Sequence, residues 1–150
     1  LARRRLPRLL LALLASPVAG LPKHSKFQVA QGGVLESVER PDLRINVMGG
    51  QVNPGDPLVL WPCSAQGHES FESSDGLIRL GGNRAMCLNA GGGVNAGTPI
   101  MTWPCAQHGR PEAHEEFTMG PDGRIRLLKH PDMCINIKGG NAERGSELVL

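Results

Sequence analysis

Two tryptophans have the clearest chemical potential in this chain, because they recur in the same local sequence. Trp61 lies in Leu-Trp-Pro-Cys and Trp103 lies in Thr-Trp-Pro-Cys, 42 residues further on. An indole offers a flat apolar face and one N–H donor, and the proline that follows restricts the backbone beside it. Asn46 and Asn89 stand at matching positions upstream, and each amide supplies two donors and one acceptor. Such a set suits the apolar face and the hydroxyl groups of a sugar.

The tryptophan segments belong to a repeat that occurs three times. Three glycine-ended segments, INVMGG, LNAGGG and INIKGG, align with one another. Asp75-Gly76 and Asp122-Gly123 stand before similar apolar segments, and such dipeptides are strong hairpin signals. Each copy is therefore expected to contain several short strands, four when complete. The repeats cover residues 33–75, 76–122 and 123–150.

Composition agrees with an all-β chain and argues against a nucleic-acid partner. The sequence has 150 residues, with Gly 20 and Pro 12, and only 3% of it is aromatic. Frequent turns and a core of aliphatic side chains follow from this composition. The formal net charge is +2, but four arginines lie in the first 20 residues, so the remainder is slightly acidic. A basic surface for nucleic acid is therefore absent from the repeats.

The N-terminal segment is typical of a secretory signal peptide. A basic cluster is followed by the short apolar run LLLALLA over residues 9–15 and by small residues. That run is far shorter than the roughly 20 residues of a membrane-spanning helix, so we expect no stable membrane insertion. We assign residues 1–20 to this signal-like segment and residues 21–32 to a linker, and we expect a secreted or extracellular protein.

The motifs of the second repeat resemble a known lectin repeat. Cys-Leu-Asn-x-Gly-Gly, Gly-Thr-Pro-Ile, Thr-Trp-Pro-Cys and Glu-x-Phe follow one another in the order of the ricin B-chain (R-type) lectin repeat. The resemblance covers residues 33–150 and implies a β-trefoil of three units around a pseudo-three-fold axis. It also implies non-catalytic binding of glycans or glycoproteins. Because Leu150 aligns with Leu60 and Thr102, just before each Trp, the third repeat is expected to be incomplete and the trefoil open.

The resemblance implies two binding sites and the start of a third. The repeat-one site comprises Asn46, Trp61, His68 and Glu69. The repeat-two site comprises Asn89, Trp103, His114 and Glu115. In both, the histidine and glutamate are expected to close the rim, and Asn136 begins a third site that lacks its tryptophan. Asn stands where galactose-binding members have Asp, so no particular sugar is implied, and the aromatic residues Phe71 and Phe117 are implied to be core residues.

Simpler roles for these residues stay open at this point. The two tryptophans could be half-buried packing residues, the asparagines could hydrogen-bond turn backbone beside the glycines, and the histidines could be solvated loop residues. Two other functions also stay open. One is a carbohydrate-binding appendage of a larger secreted glycosidase or glycosyltransferase, and the other is a trefoil protein-interaction scaffold that has lost sugar binding.

The four cysteines favour disulfide chemistry in a secreted chain. In the family the first and last cysteines of a repeat pair, which implies a Cys87–Cys105 disulfide that stabilises by roughly 3 kcal/mol. Arg44 occupies the place of a partner for Cys63, so Cys63 is expected to be free, buried or paired outside the rule. The partner place of Cys134 falls beyond Leu150.

Catalytic and metal-binding patterns are not found in the sequence. The segment His114-Glu115-Glu116 is not the His-Glu-x-x-His pattern of metalloproteases, and the glycine runs lack the Gly-Lys-Ser/Thr ending of a phosphate loop. Cysteines and histidines lack the paired spacing of zinc sites. The sequence therefore predicts no enzyme, no cofactor and no metal.

Overall fold

The computed structural model describes residues 23–64 and 67–150, which form short strands joined by turns. The twelve strands of this part are β1 (Phe27–Ala30), β2 (Val34–Ser37), β3 (Leu43–Val47), β4 (Leu58–Pro62), β5 (Phe71–Ser74), β6 (Leu77–Leu80), β7 (Asn83–Ala90), β8 (Ile100–Pro104), β9 (Phe117–Met119), β10 (Ile125–Leu127), β11 (Asn136–Ile137) and β12 (Leu148–Val149). The 3-10 helices of this part are Lys23–Ser25, Gln31–Gly33, Gly67–Glu69 and Lys138–Gly140. None of its helices is long and apolar enough to cross a membrane. The all-β class is confirmed, and the signal-like segment 1–20 lies outside the described residues.

One antiparallel hairpin occurs three times, and each copy begins with a phenylalanine. Phe27, Phe71 and Phe117 are the first residues of the hairpins β1–β2, β5–β6 and β9–β10. Asp75 and Gly76 join β5 to β6 with φ values of 54° and 76°, the left-handed geometry that a two-residue hairpin turn favours. The strands β1–β4 and β5–β8 then form two four-stranded sheets with the same order, and β11 pairs with β12.

The three units close into a ring through one backbone contact that is made three times. A glycine amide donates to a carbonyl in the third-strand segment of a neighbouring unit, at 2.7 to 2.8 Å. The three pairs are Gly55 to Thr102, Gly97 to Leu150 and Gly145 to Leu60. The β-trefoil is therefore confirmed, and Leu150 takes the place that Leu60 and Thr102 take in the other repeats.

The fourth strand of the third unit comes from the N-terminal side of the chain. The Phe27 amide donates to the Gly123 carbonyl at 2.8 Å, just as the Phe117 amide donates to the Gly76 carbonyl at 2.8 Å. Strand β1 thus takes the fourth-strand position in unit three, as β9 does in unit two. The expectation of an open trefoil is wrong, and so is the linker assignment for residues 23–32. The physical reason is that Phe27, 1% exposed, fills the core position of the missing strand.

The core is built mainly from aliphatic side chains, as the low aromatic content predicts. All three phenylalanines are buried in it, so the core role of Phe71 and Phe117 is confirmed. The largest fully buried side chains are Phe27, Phe117, Leu43, Ile45, Leu58, Leu60, Leu80, Leu88, Ile100, Ile125, Leu127 and Ile135. They come from all three units, and none of the units could bury its apolar face alone.

Candidate functional site

Both tryptophans are displayed on the outside of the trefoil near the ends of β4 and β8. Trp61 is 38% exposed and Trp103 is 37% exposed, whereas their neighbours Leu60 and Thr102 are fully buried. Successive side chains of a strand point to opposite faces, so burial of the preceding residue turns each indole outward. This exposure favours a contact role over the packing role that the sequence left open.

Three of the four predicted residues of the repeat-one site line one cavity. Asn46, Trp61 and His68 surround a space of about 470 Å³. Its floor is apolar, and one wall is the glycine turn after β3. Gly50 has a φ of 69°, which favours glycine, and a Cβ there would be in ordinary van der Waals contact with the His68 ring. The remaining lining residues are Val47, Met48, Gly49, Val59, Ser64 and Gly145.

Glu69 lies beneath this cavity instead of at its rim. It is 1% exposed, and its Oε2 accepts hydrogen bonds from Asn46 Nδ2 at 3.2 Å and from the Ser64 amide at 3.0 Å. The rim position predicted for Glu69 is therefore wrong. Its burial follows from the 3-10 helix Gly67–Glu69, which turns the carboxylate toward the end of β4. Glu69 fixes the amide of Asn46, which itself is 3% exposed.

The predicted residues of the repeat-two site also come together, with a more polar wall. Asn89, Trp103 and His114 line a cavity of about 460 Å³, together with Gly91, Gly92, Met101, Gln107, His108 and Glu112. Trp103 Nε1 donates to Gln107 Oε1 at 2.9 Å, which holds the indole edge. His114 Nε2 lies 3.4 Å from Glu112 Oε2.

Glu115 is buried like its counterpart Glu69, so its predicted rim position is also wrong. It is 3% exposed, and it accepts hydrogen bonds from the amides of Glu112 at 3.0 Å and Ala106 at 3.4 Å. These contacts tie down the loop between β8 and β9. Glu115 also lines a small recess of about 40 Å³ next to Asn89.

Sequence reasoning missed the residues of that loop, Gln107, His108 and Glu112. A signal was present, because the tryptophan and histidine of repeat two are separated by four more residues than those of repeat one. The longer loop folds back over the site and supplies its extra polar wall.

Asn136 is not among the residues that line the two tryptophan cavities. Its Oδ1 is buried and has no hydrogen-bond partner among the described residues. His24 packs against Gly140 in the third unit as His68 packs against Gly50 in the first. Ser25 then occupies the position of Glu69. The sequence signal for this correspondence is the pattern His-x-x-Phe, which occurs three times, ending at Phe27, Phe71 and Phe117.

The disulfide implied for repeat two is confirmed. Cys87 and Cys105 are bonded, with Cα atoms 5.1 Å apart. Cys87 pairs in register with Trp103, so the bridge anchors the strand segment that carries the indole. In repeat one Arg44 takes that register position, opposite Trp61.

The two other cysteines are free thiols. Cys63 is exposed and contacts the Arg44 guanidinium, which also forms an ion pair with Glu36 at 3.2 Å. Cys134 is partly buried. Of the alternatives expected for Cys63, the structure thus shows the free thiol.

Perturbed carboxyl groups lie away from both cavities. A hydrogen bond from Arg126 holds the pKa of Asp122 well below its usual range, and one from Arg40 lowers the pKa of Asp42. Neither aspartate lines a cavity described above. Within residues 23–64 and 67–150 there is also no group of His, Cys, Asp and Glu side chains arranged to hold a metal ion.

Comparison with known proteins adds a family and a set of related folds. A family model described as the ricin-type β-trefoil lectin domain matches residues 31–150. No curated protein matches the sequence. Among solved structures, the C-half of an earthworm R-type lectin, in complex with GalNAc, is 16% identical with a TM-score of 0.58, and the match covers 71% of this chain and 78% of that one.

Two further structures have the same fold. The designed three-fold symmetric protein ThreeFoil is 8% identical with a TM-score of 0.59, over 71% of this chain and 79% of that one. The agglutinin from Abrus precatorius is 22% identical with a TM-score of 0.57, over 72% of this chain and 39% of that one. At these identities the likeness shows the fold alone.

Proposed function

Because the chain belongs to the ricin-type β-trefoil lectin domain family, we propose that it binds glycans without catalysis, at the repeat-one and repeat-two sites. One observation carries this proposal. Two cavities at equivalent positions each combine an exposed tryptophan, a buried asparagine and a histidine. The earthworm lectin of the same fold is described in complex with GalNAc, which supports a saccharide as the ligand class.

The chemistry of the cavities suits shallow sugar binding. The indole covers the C–H face of a pyranose ring, and the asparagine amide offers donors and an acceptor to its hydroxyls. Both asparagines are 3% exposed, and Glu69 holds Asn46 in place before a ligand arrives. Preorganised polar groups reduce the entropy lost on binding. Each site is expected to bind weakly, in the millimolar to micromolar range, with avidity on surfaces that engage both.

The decisive experiment removes both indoles. The Trp61→Ala/Trp103→Ala double variant is expected to lose all binding on a glycan array while keeping its far-ultraviolet circular dichroism and melting temperature. Leu128→Ala, which removes an exposed apolar side chain that lines neither cavity, serves as the matched control and should bind normally. Unchanged binding by the double variant would refute the site assignment. A folded wild-type protein that binds no glycan would favour the protein-interaction scaffold.

We also propose that the protein is secreted. The Cys87–Cys105 disulfide supports this, because such bonds persist in oxidising compartments. Expression in a eukaryotic host should place the protein in the medium, with its mature N-terminus near residue 21, as read by N-terminal sequencing. Retention of the whole chain inside the cell would contradict the proposal.

A further inference from the structure

The indole of the repeat-one site makes a cation–π contact with an arginine of another unit. The guanidinium carbon of Arg144 lies 4.2 Å from the centroid of the Trp61 ring. Arg144 belongs to the third unit, and the next residue, Gly145, lines the cavity together with Trp61. The amide of Gly145 donates to the Leu60 carbonyl at 2.7 Å, which fixes this loop against the end of β4. Arg144 is therefore held on the Trp61 ring, next to the cavity-lining residue Gly145.

The guanidinium of Arg144 is available to a ligand. It is absent from the ion pairs formed among residues 23–64 and 67–150, and its residue is exposed. A guanidinium that stacks on an aromatic ring keeps its N–H groups free along its edge, and these match the two oxygens of a carboxylate or sulfate. Stacking also limits the motion of a long side chain before binding.

No carboxylate is found among the described residues that line the cavity beside Arg144. Glu69 belongs to the repeat-one site, but it is buried, and it accepts hydrogen bonds from Asn46 Nδ2 and the Ser64 amide. The repeat-two cavity differs, because the carboxylate of Glu112 lies on its wall. The position that corresponds to Arg144 there is Pro54, which precedes Gly55 as Arg144 precedes Gly145.

We propose that the repeat-one site selects saccharides that carry a carboxylate or a sulfate group, and that Arg144 binds this anionic group. The proposal rests on the function proposed above and names its ligand class. A sugar ring in the cavity places its substituents beside the indole, and the guanidinium on that indole pairs with a negative one. The repeat-two site, with Glu112 and without a matching arginine, prefers neutral saccharides.

The test isolates the repeat-one site in the full chain with Trp103→Ala. Calorimetric titrations compare a neutral disaccharide, lactose, with the same disaccharide bearing a sialic acid and with a sulfate ester of it. We expect the sialylated or the sulfated form to bind more tightly than lactose, and the two arms tell a carboxylate from a sulfate. In this background Arg144→Gln should weaken binding of the preferred anionic form about tenfold, as expected for a charged hydrogen bond. Its affinity for lactose should not change.

Two further variants separate charge from packing. Arg144→Lys keeps the charge but loses the planar fork, so it should retain part of the preference. Arg84→Gln removes another exposed arginine, which pairs with Glu72, and it should leave the preference intact. The tighter binding of the anionic form should also weaken as salt is added. Melting temperatures close to that of the parent protein check that all variants are folded.

Four results would overturn the proposal. Equal loss of neutral and anionic ligands in Arg144→Gln would mean that Arg144 only supports the indole. Tighter lactose binding in that variant would mean that Arg144 covers the ring face and competes with the sugar. Tight lactose binding without anionic preference in the parent would refute the ligand class alone, whereas a parent protein that binds no saccharide would refute the proposed function as well.

Discussion

Repeats one and two place an indole at the same point of the same strand pair, yet they secure it differently. In repeat two a disulfide joins Cys87 to Cys105, opposite Trp103. In repeat one Arg44 replaces the first cysteine and forms an ion pair with Glu36. The backbone register around the two tryptophans is nevertheless the same. The geometry of the trefoil is thus specified by its packed core and by the hydrogen-bonded strand pairs. The disulfide adds stability but does not define this geometry.

The cavities differ where the repeats differ in length. Four additional residues between tryptophan and histidine give repeat two a folded loop with Gln107 and Glu112 on its wall. Repeat one lacks this loop, and the neighbouring unit brings Arg144 to its indole, whereas Pro54 stands at the corresponding position for repeat two. Ligand preference is therefore expected to follow the loops, while the shared tryptophan, asparagine and histidine provide the common affinity for sugars.

The largest expected effect concerns the closing strand. Phe27→Ala should lower the free energy of unfolding by about 3–5 kcal/mol, as truncation of a buried phenylalanine does, and Phe71→Ala and Phe117→Ala should cost similar amounts. Denaturant titration measures this. Val29→Ala, on the same strand but 63% exposed, should change stability by less than about 0.5 kcal/mol. A negligible effect of Phe27→Ala would show that β1 does not complete the third unit.

The two repeats can be made alike either by removing the disulfide of repeat two or by adding a disulfide to repeat one. Replacing Cys87 and Cys105 by alanine should cost roughly 3 kcal/mol in the chain-entropy model. Arg44→Cys should allow a new disulfide with Cys63, because it restores the paired positions of repeat two. Mass spectrometry after alkylation detects the bond, and denaturant titration should show higher stability under oxidising conditions only. Two free thiols at these positions would contradict the equivalence of the repeats.

A smaller effect is expected from the buried glutamates. Glu69→Gln replaces the charged acceptor of Asn46 Nδ2 by a neutral amide. The repeat-one site should therefore bind its sugar about tenfold more weakly, as for loss of one charged hydrogen bond. Calorimetry in the Trp103→Ala background measures this. Glu115→Gln in the same background is the matched control, because Glu115 makes its contacts in repeat two. Equal weakening by both changes would point to a global effect on the fold.

The smallest effect concerns the indole N–H of repeat two. Gln107→Ala removes the acceptor of Trp103 Nε1, and an exposed neutral hydrogen bond is worth about 0.5–1.5 kcal/mol. Binding at the repeat-two site, measured in the Trp61→Ala background, should weaken by no more than about tenfold. Repeat-one binding should be unaffected in the Trp103→Ala background. A complete loss of repeat-two binding would instead assign Gln107 a direct role with the ligand.

Most of the fold could be predicted because its signals are local and repeated. The alignment of the glycine segments, the Asp75-Gly76 hairpin and the Trp-Pro-Cys pairs indicated a repeated all-β chain, and the resemblance to the R-type lectin repeat implied the trefoil and the disulfide. The rim positions of Glu69 and Glu115 were predicted wrongly, because the burial of a carboxylate depends on which amides it can reach. Those amides, from Ser64 in one case and Ala106 and Glu112 in the other, come from loops whose paths no pattern fixed.

Short segments of the sequence were enough to predict the repeating strand pattern, the fold class and the residue types of the two sites, because apolar periodicity, turn chemistry and motif order are local properties. The role of β1 in completing the third unit and the position of Arg144 on Trp61 became evident only in the folded chain. Both contacts join residues far apart in the chain, and they form because ring closure brings one unit against the next. Each site therefore takes its tryptophan, asparagine and histidine from its own repeat. The adjacent unit supplies further residues beside the tryptophan.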